Sequence, residues 1–428
     1  MRTNSKDKEL RERARQVIPG GMYGHQSTGM LPSDFPQYFS KASGGRIWDV
    51  DGNEYVDYMC AFGPNLIGYN NAEVEAAARR QVELGDTMTG PSEHMVKLAE
   101  DFVGMIEHAD WAMFCKNGSD ATSMATILSR AYTRRRKILI AKGTYHGASI
   151  WNTPNLTGIL PEDRAHFIYF KYNDLDSLQD AIKSAEGDVA GVFATPFRHE
   201  IFQDQTLPCV EYARGVSAIC DDLDALLIVD EIRSGFRLAR DCSWAQFNVK
   251  PDLTCWGKVL ANGYPLSALL GTDKARSAAQ SIYATGSFWF SAVAMVAAIE
   301  TLRQIRESDY LEKMINIAAE IRSGIDQQAK THGFSVRQTG PAQMPQILFN
   351  DDPDMRIGYF WTAAAVRRGV YLHPYHNMFV TSAHTEEDVK KTLAGTDAAF
   401  EELKRSYLSI EPQENPRVTA RLAALSSG

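Results

Sequence analysis

Five short apolar runs dominate the middle of the sequence: Trp111–Cys115, Lys137–Ala141, Ala190–Ala194, Ala225–Val229 and Leu266–Leu270. Stretches with helical periodicity separate them. A run of five residues that is apolar at nearly every position has no face to offer water, so it must be buried on both sides. Strands of that kind alternating with helices predict a mostly parallel central sheet covered by helices on both faces, an α/β fold. We place this core at residues 61–310. Residues 1–60 and 311–428 are expected to form one smaller α+β unit built from both chain ends. Arg46–Val50 and Asn53–Tyr58 flank Asp51-Gly52, a hairpin signal in that unit. A charged helix is predicted over about 5–17, ending before Pro19-Gly20-Gly21. An Ala-rich helix at about 291–306 and a second one to about 330 follow the core. In the tail from Ser406 to Gly428, which contains Pro412 and Pro416 and ends in Ser-Ser-Gly, the last stretch is read as mobile.

Composition removes several function classes. The 428 residues carry a formal charge of −8 with no long basic run, which argues against nucleic acid and anionic membranes as partners. No window approaches a membrane-spanning length, and the first residues lack the apolar core of a signal peptide, so a cytoplasmic protein is expected. The six cysteines show no CxxC pair and no Cys/His grouping at zinc spacing; they read as buried reduced thiols rather than as a metal site. There is no dinucleotide fingerprint, P-loop, zinc-protease helix or nucleophile elbow.

Four segments of the core can carry chemistry, and each also has a structural reading. Asn117-Gly118-Ser119-Asp120 opens a helix after the first run. Its backbone N–H groups, hydroxyl and positive dipole end suit a phosphate, although such residues are also ordinary helix caps. Thr144-Tyr145-His146 follows the second run at the strand end where open sheets bind ligands, with an aromatic that can stack on a flat ring or fill a turn. Asp230 and Glu231 come straight after five apolar residues, where an acid is costly unless a cation meets it. Lys258 lies between apolar runs with glycines nearby, either salt-bridged or a Schiff-base amine whose charge is suppressed by burial. Together these are the parts that pyridoxal 5'-phosphate requires: an anion cradle, a stacking ring, an acid for the pyridine nitrogen and a Lys for the aldehyde.

With these segments in place, the sequence resembles the class III aminotransferases, fold type I pyridoxal phosphate enzymes, and among them the glutamate-1-semialdehyde 2,1-aminomutase subgroup. The resemblance runs from Val17-Ile-Pro-Gly-Gly21 to Ala383-His-Thr-Glu-Glu-Asp388 and includes Gly44 to Tyr58, Phe62-Gly-Pro-Asn-Leu-Ile-Gly68, Asp230-Glu-x-x-x-Gly-Phe-Arg237 and Gly257-Lys258. It implies the following roles. Lys258 joins the cofactor's aldehyde and shuttles a proton, and Asp230 keeps the pyridine nitrogen protonated. Tyr145 and Ile232 cover the two ring faces, with His146 beside them. Asn117, Gly118 and Ser119 bind the phosphate, aided across a homodimer interface by Ser287. Phe62 and Trp289 belong to the substrate pocket.

The departures from the aminomutase pattern shape the expected reaction. No Arg follows Pro19-Gly20-Gly21, Phe288-Trp289-Phe290 replaces the usual Gly-Asn-Pro, and Thr195-Pro196 replaces Glu-Pro. The stretch Pro374–Met378 lacks the family's acid. Gln203 or His199 is the candidate partner of the cofactor's phenolic oxygen. Arg198, Arg233, Arg237 and Arg367 are candidate carboxylate clamps, Arg237 foremost because it follows the acid loop. These features point to an aminotransferase moving nitrogen from an amine or amino acid to a ketone or aldehyde, with an acceptor larger or more apolar than glutamate semialdehyde. An isomerase, whether aminomutase or amino-acid epimerase, uses the same Lys, Asp and cofactor and stays open at this point.

Overall fold

A computed structural model describes residues 4–426. In the first part of the chain, helix α1 (Ser5–Val17) precedes strands β1 (Phe39–Ser43), β2 (Arg46–Asp49) and β3 (Glu54–Asp57); β2 and β3 form the antiparallel hairpin expected around Asp51-Gly52, and β1 adds to β2 through a further turn at Gly44-Gly45. Helices α2 (Ala72–Leu84) and α3 (His94–Val103) lead into the core. There β4 (Trp111–Cys115), β5 (Lys137–Ala141), β6 (Phe167–Phe170), β7 (Val189–Ala194), β8 (Leu226–Asp230), β9 (Leu253–Trp256) and β10 (Ser267–Gly271) make one seven-stranded sheet in the order β4-β10-β9-β8-β7-β5-β6. The five strands from β9 to β6 are parallel, whereas β10 runs against both neighbours.

The five apolar runs are all strands, and two further strands escaped the pattern. In β9 a polar Thr254 interrupts the run. It is buried because its hydroxyl accepts from Trp256 Nε1 at 2.8 Å and meets His108 Nε2 at 3.1 Å. Strand β6 lies at the sheet edge, with Tyr169 partly exposed.

Side-chain alternation then assigns faces. Ile138, Ile140, Leu226 and Ile228 pack with Ala121, Met124 and Leu128 of helix α4 (Gly118–Thr133). Leu139, Ala141, Leu227 and Val229 pack with helices α5 (Leu175–Ala185) and α6 (Val210–Leu223). Helix α7 (Asp273–Ser281) lies beside α4, and helices α8 (Ala292–Glu307) and α9 (Tyr310–His332) carry the chain out of the core close to the expected bounds.

The chain's later part holds the pair β11 (Val336–Thr339) and β12 (Gln346–Phe349), helix α10 (Arg356–Arg367), strand β13 (Val370–Tyr371) and helix α11 (Glu386–Ser406). Strand β13 pairs with β3 in parallel, so the two chain ends do share a sheet. The tail read as mobile forms helix α12 (Pro416–Ser426), and Val418 is fully buried with Phe202, Leu348 and Tyr359, which ties the helix down. Ser427 and Gly428 lie outside the described residues. One thiol also departs from expectation: Cys209 is exposed, because its sulfur sits at the start of α6 and accepts the N–H of Tyr212. Among the described residues no helix is long and apolar enough to cross a membrane.

The start of the chain is held by two carboxylates. Asp51 in the hairpin turn accepts the backbone N–H groups of Lys6 and Asp7 at the beginning of α1. Asp7, itself buried, accepts from Gln37 N at 2.8 Å, Tyr38 N at 2.9 Å and Arg11 Nε at 2.6 Å. Replacing Asp7 with Ala leaves these donors unmatched, and we expect a loss of about 3 kcal/mol. Urea unfolding should show a lower midpoint at unchanged slope; an unaltered midpoint would mean water replaces the carboxylate without loss.

Candidate active site

Strand direction brings the candidate residues together. The C-terminal ends of β5, β7, β8 and β9 lie side by side on one edge of the sheet, and β4 ends on the same edge because it and β9 both run against β10. The segments leaving those ends carry Tyr145 and His146, His199, Asp230, Lys258, and Asn117 to Ser119 respectively. Ligands of open α/β sheets sit at such an edge.

Asp230 continues the alternation of Leu226 and Ile228 and therefore faces the side of α4. Its Oδ1 accepts the N–H of Ile232 at 3.0 Å, and its Oδ2 accepts from His146 Nδ1 at 2.7 Å. His146 is buried, meets Thr144 Oγ1 through Nε2 at 3.1 Å, and has its own carbonyl held by the Thr122 hydroxyl. The acid at the strand end thus meets an imidazole on its inner side and keeps the remaining lone pairs of its carboxylate for a ligand. Sequence reading placed His146 beside the cofactor; in the structure it is the anchor of Asp230. Glu231 turns the other way and accepts from Ser234 Oγ, Ser243 Oγ and Ser243 N, which fixes the loop after β8.

At the start of α4, Asn117 N donates to Asp120 Oδ2 at 2.8 Å, while the first-turn N–H groups of Gly118 and Ser119 have no intrahelical acceptor. Gly118 is closely packed: a Cβ there would lie 2.8 Å from Ile232 Cδ1, so a larger residue would push the Ile232 side chain aside. Gly147, at φ +107°, is pressed against Ser119, whose Oγ accepts from Ala148 N at 3.0 Å. The helix start, the Tyr145 loop and Ile232 therefore form one wall.

Lys258 stands opposite. Burial, with the charges of Arg233 and Arg237 nearby, holds its amine well below the ordinary lysine range. The residue adopts a left-handed backbone, φ +45°, and its Nζ donates to the carbonyl of Phe62 at 2.7 Å. Cys60, Ala61, Phe62 and Gly63 are all left-handed as well. The buried Asp57 holds that strained turn by accepting from Met59 N, Cys60 N and Tyr69 Oη. The Phe62 ring meets His25 at 4.4 Å and His376 at 5.6 Å, both edge-on.

The remaining candidates separate. Tyr145 sits partly exposed over the edge, its hydroxyl pushed up by burial. His199 donates through Nδ1 to Phe197 O at 3.1 Å and leaves Nε2 buried without a partner. Ser287 is exposed on the 283–290 loop, where Phe288 lies over Lys116 at 5.0 Å. Trp289 folds back over Gly286 toward the core under α4, so within this chain the structure does not bring it to Lys258. Arg237, the favoured clamp, is fully buried with its terminal nitrogens spent on the carbonyls of Gly63 and Val380; it is a structural strut. Arg367 pairs with Asp34 and Glu402 away from the site. Sequence reading missed His25, His376, Asn377 and Phe379, which come from loops with no periodic signal.

These residues fit pyridoxal phosphate on the structure's own terms. A desolvated amine whose pKa is lowered by burial, an anchored carboxylate, a helix start with free N–H groups and an unpartnered imidazole nitrogen line one edge. The fold and this site define a class III aminotransferase, and an Aminotransferase class-III family model matches residues 32–394. The chain belongs to that family and is a pyridoxal phosphate-dependent aminotransferase. It is 62% identical to the aminopentol aminotransferase of Sphingopyxis macrogoltabida, over 96% of this chain and 98% of that protein. The solved pyridoxal phosphate form of the FumI protein of Sphingopyxis sp. MTA144 superposes with a TM-score of 0.95 at 61% identity, covering 97% and 100% of the two chains. The 3-aminobutyryl-CoA aminotransferase of Cloacimonas acidaminovorans is 32% identical over 92% and 97%. Glutamate-1-semialdehyde aminomutases align at 28–31%, which puts the isomerase reading behind the aminotransferase one.

His373 shapes the loop that delivers His376 and Asn377: its Nδ1 accepts the N–H groups of Tyr375 and His376. Burial pulls this imidazole down to about 3, below the ordinary 6.5 of an unfolded chain. Between those values the unfolded chain binds the extra proton, so stability falls as pH drops from 6.5 toward 3. Asp57, raised to about 6 by burial, opposes this in part of the window. Urea unfolding of His373→Asn should therefore show a shallower loss on acidification than the parent, and parallel pH profiles would remove His373 from this role.

Proposed function

We propose that the protein moves an amino group from an amino polyol of the aminopentol type to a small carbonyl acceptor, as a cytoplasmic homodimer. The observation that carries this reading is the single desolvated amine of Lys258 facing the anchored carboxylate of Asp230 across one sheet edge. The donor class follows the 62% identical relative, and the pocket suits it: Tyr145, His25, His376 and Asn377 offer hydroxyl-matching groups beside the apolar face of Phe62. Free cysteines support a reducing compartment.

The cofactor supplies an aldehyde carbon and a ring that withdraws electrons. Lys258 is the amine that joins this aldehyde. With the cofactor bound, its Nζ would be the base that takes the donor's Cα proton and gives it back on the far side of the transferred nitrogen. Asp230, steadied by His146, holds a proton at the ring nitrogen. Tyr145 and Ile232 clamp the ring from its two faces. Asn117, Gly118 and Ser119 bind the phosphate, and Ser287 of the partner subunit completes that cradle. Support for the dimer comes from the exposed apolar loop, where Tyr283 is 90% and Phe288 58% accessible. The division at residues 1–60, 61–310 and 311–428 belongs to the same proposal, supported by the β3–β13 pairing.

Mixing the holoenzyme with aminopentol and other amines, without acceptor, tests the reaction. We expect bleaching of the cofactor's visible band with one equivalent of carbonyl product, whereas turnover with nitrogen retained and mass unchanged would install the isomerase reading instead. Lys258→Ala should abolish turnover. Asp230→Asn should keep the cofactor yet lower kcat by about 100-fold or more, since an amide cannot hold the ring proton; a rate near the parent's would remove Asp230 from this role.

A further inference from the structure

Helix α12 lies beyond residue 394, where the family match ends, and packs against the loops that line the site. Its inner face carries Val418, Arg421, Leu422 and Leu425, spaced three and four residues apart as one stripe of a helix. Val418 is fully buried in a cluster with Phe202, and Leu422, Leu425, Tyr375 and Met30 pack around it. Each of the three loop residues in this cluster shares its segment with a residue of the site: Phe202 with His199, Tyr375 with His376, and Met30 with His25.

Beneath the helix these loops are joined to one another. Phe202 N donates to Tyr375 O at 3.0 Å, and the two rings stack at 4.4 Å. Phe202 holds a left-handed backbone, φ +64°, a strained state for a bulky residue that persists only where packing fixes it. Just before α12 begins, Asn415 Nδ2 donates to Gly29 O at 2.9 Å. Further along, Arg421 reaches the loop after β7, where Nη2 donates to Glu200 Oε1 at 3.0 Å. The other oxygen of Glu200 lies against Gly143: a Cβ there would come within 2.5 Å of it, and Gly143, at φ +75°, heads the loop of Tyr145 and His146. With the arginine side chain 33% exposed, this ion pair adds little to stability. Its effect is to fix where the Glu200 carboxylate lies, and through it the Tyr145 loop.

We propose that α12 is a strap that holds the pocket's loops in their substrate-binding arrangement, with Val418 and Arg421 as positioning residues. This rests on the aminotransferase reading above. Asp230 and Lys258 stand at or just beyond the ends of sheet strands and keep partners of their own in His146, Ile232 N and the Phe62 carbonyl. The loops under the strap carry Tyr145, His25, His199 and His376, which meet the donor away from its reacting carbon. Loosening the strap therefore weakens donor binding more than it slows the chemical step, the pattern of an interaction made equally in the ground and transition states. It also frees the Tyr145 loop, which alters the asymmetric surroundings of the cofactor ring.

Bleaching of the cofactor's visible band on mixing holoenzyme with aminopentol gives a half-saturating concentration and a maximal rate, and the circular dichroism of the same band is recorded without substrate. We expect Arg421→Gln to raise the half-saturating concentration about fivefold, with the maximal rate within about threefold of the parent's. Arg421→Lys should restore most of the difference, and the double variant Arg421→Gln, Glu200→Gln should be no worse than either single one, since both remove the same contact. Val418→Asp should undock the helix, seen as new trypsin cleavage at Arg417 and Arg421, with about a 20-fold higher half-saturating concentration and a weaker dichroism of the band. An undocked helix with parent-like half-saturation and dichroism would overturn the proposal. So would loss of cofactor or of cooperative unfolding in Val418→Asp beside a parent-like Arg421→Gln, which reduces α12 to a structural brace. If the parent itself does not bleach with aminopentol, the donor reading above fails, and the dichroism of the two variants decides the strap by itself.

Discussion

The hydrogen-bonded register of the parallel strands sets every distance in the site. Ala194 is level with Val229, and Asp230 with Cys255, so the loops leaving β7, β8 and β9 start from one line. Lys258 and Asp230 come from different strands of a sheet buried on both faces, and a slip by one residue would exchange the two packed faces of a strand and carry Asp230 to the side away from α4. The stiffness of the site comes from that register rather than from the loops themselves.

Upon this frame the site concentrates unfavourable states. Lys258 and the Cys60–Gly63 turn hold left-handed conformations, the Lys258 amine is stripped of water, and two guanidinium groups lie near it. Each cost is offset by a named neighbour. Asp57 gathers the donors of the turn, the Phe62 carbonyl receives the amine, and the Gly63 and Val380 carbonyls receive Arg237. The Nε atoms of Arg233 and Arg237 are both buried without a partner. Strained backbone gathers at Lys258 and the Cys60–Gly63 turn, whereas unmet polar atoms also occur elsewhere in the core, at Tyr212 Oη and Trp244 Nε1.

Much of the fold could be read from residue order. A five-residue run such as Ala225–Val229, apolar at every position, has one stable environment, and alternation along β8 even fixes the side on which Asp230 emerges. Strand β9 was hidden because the Thr254 hydroxyl finds its partners in Trp256 and in His108, a residue distant in sequence. The tail was misread for a similar reason. Its composition suggests a loose end, but Val418 finds a pocket made by Phe202, Leu348 and Tyr359, which the sequence does not announce.

By itself the sequence determined the sheet and the helix that starts at Gly118, and it singled out Lys258, Asp230 and Tyr145 as candidates, because each reading depends on residue type and local spacing. Only the tertiary structure decided what each charged group meets. His146 became the support of Asp230, while Arg237 became a strut and Arg233 was tied to Asn377 by carbonyls and side chains brought in from residues 63 and 377–380. Local spacing sets which groups a strand end presents; long-range packing sets which of their hydrogen bonds remain for a substrate.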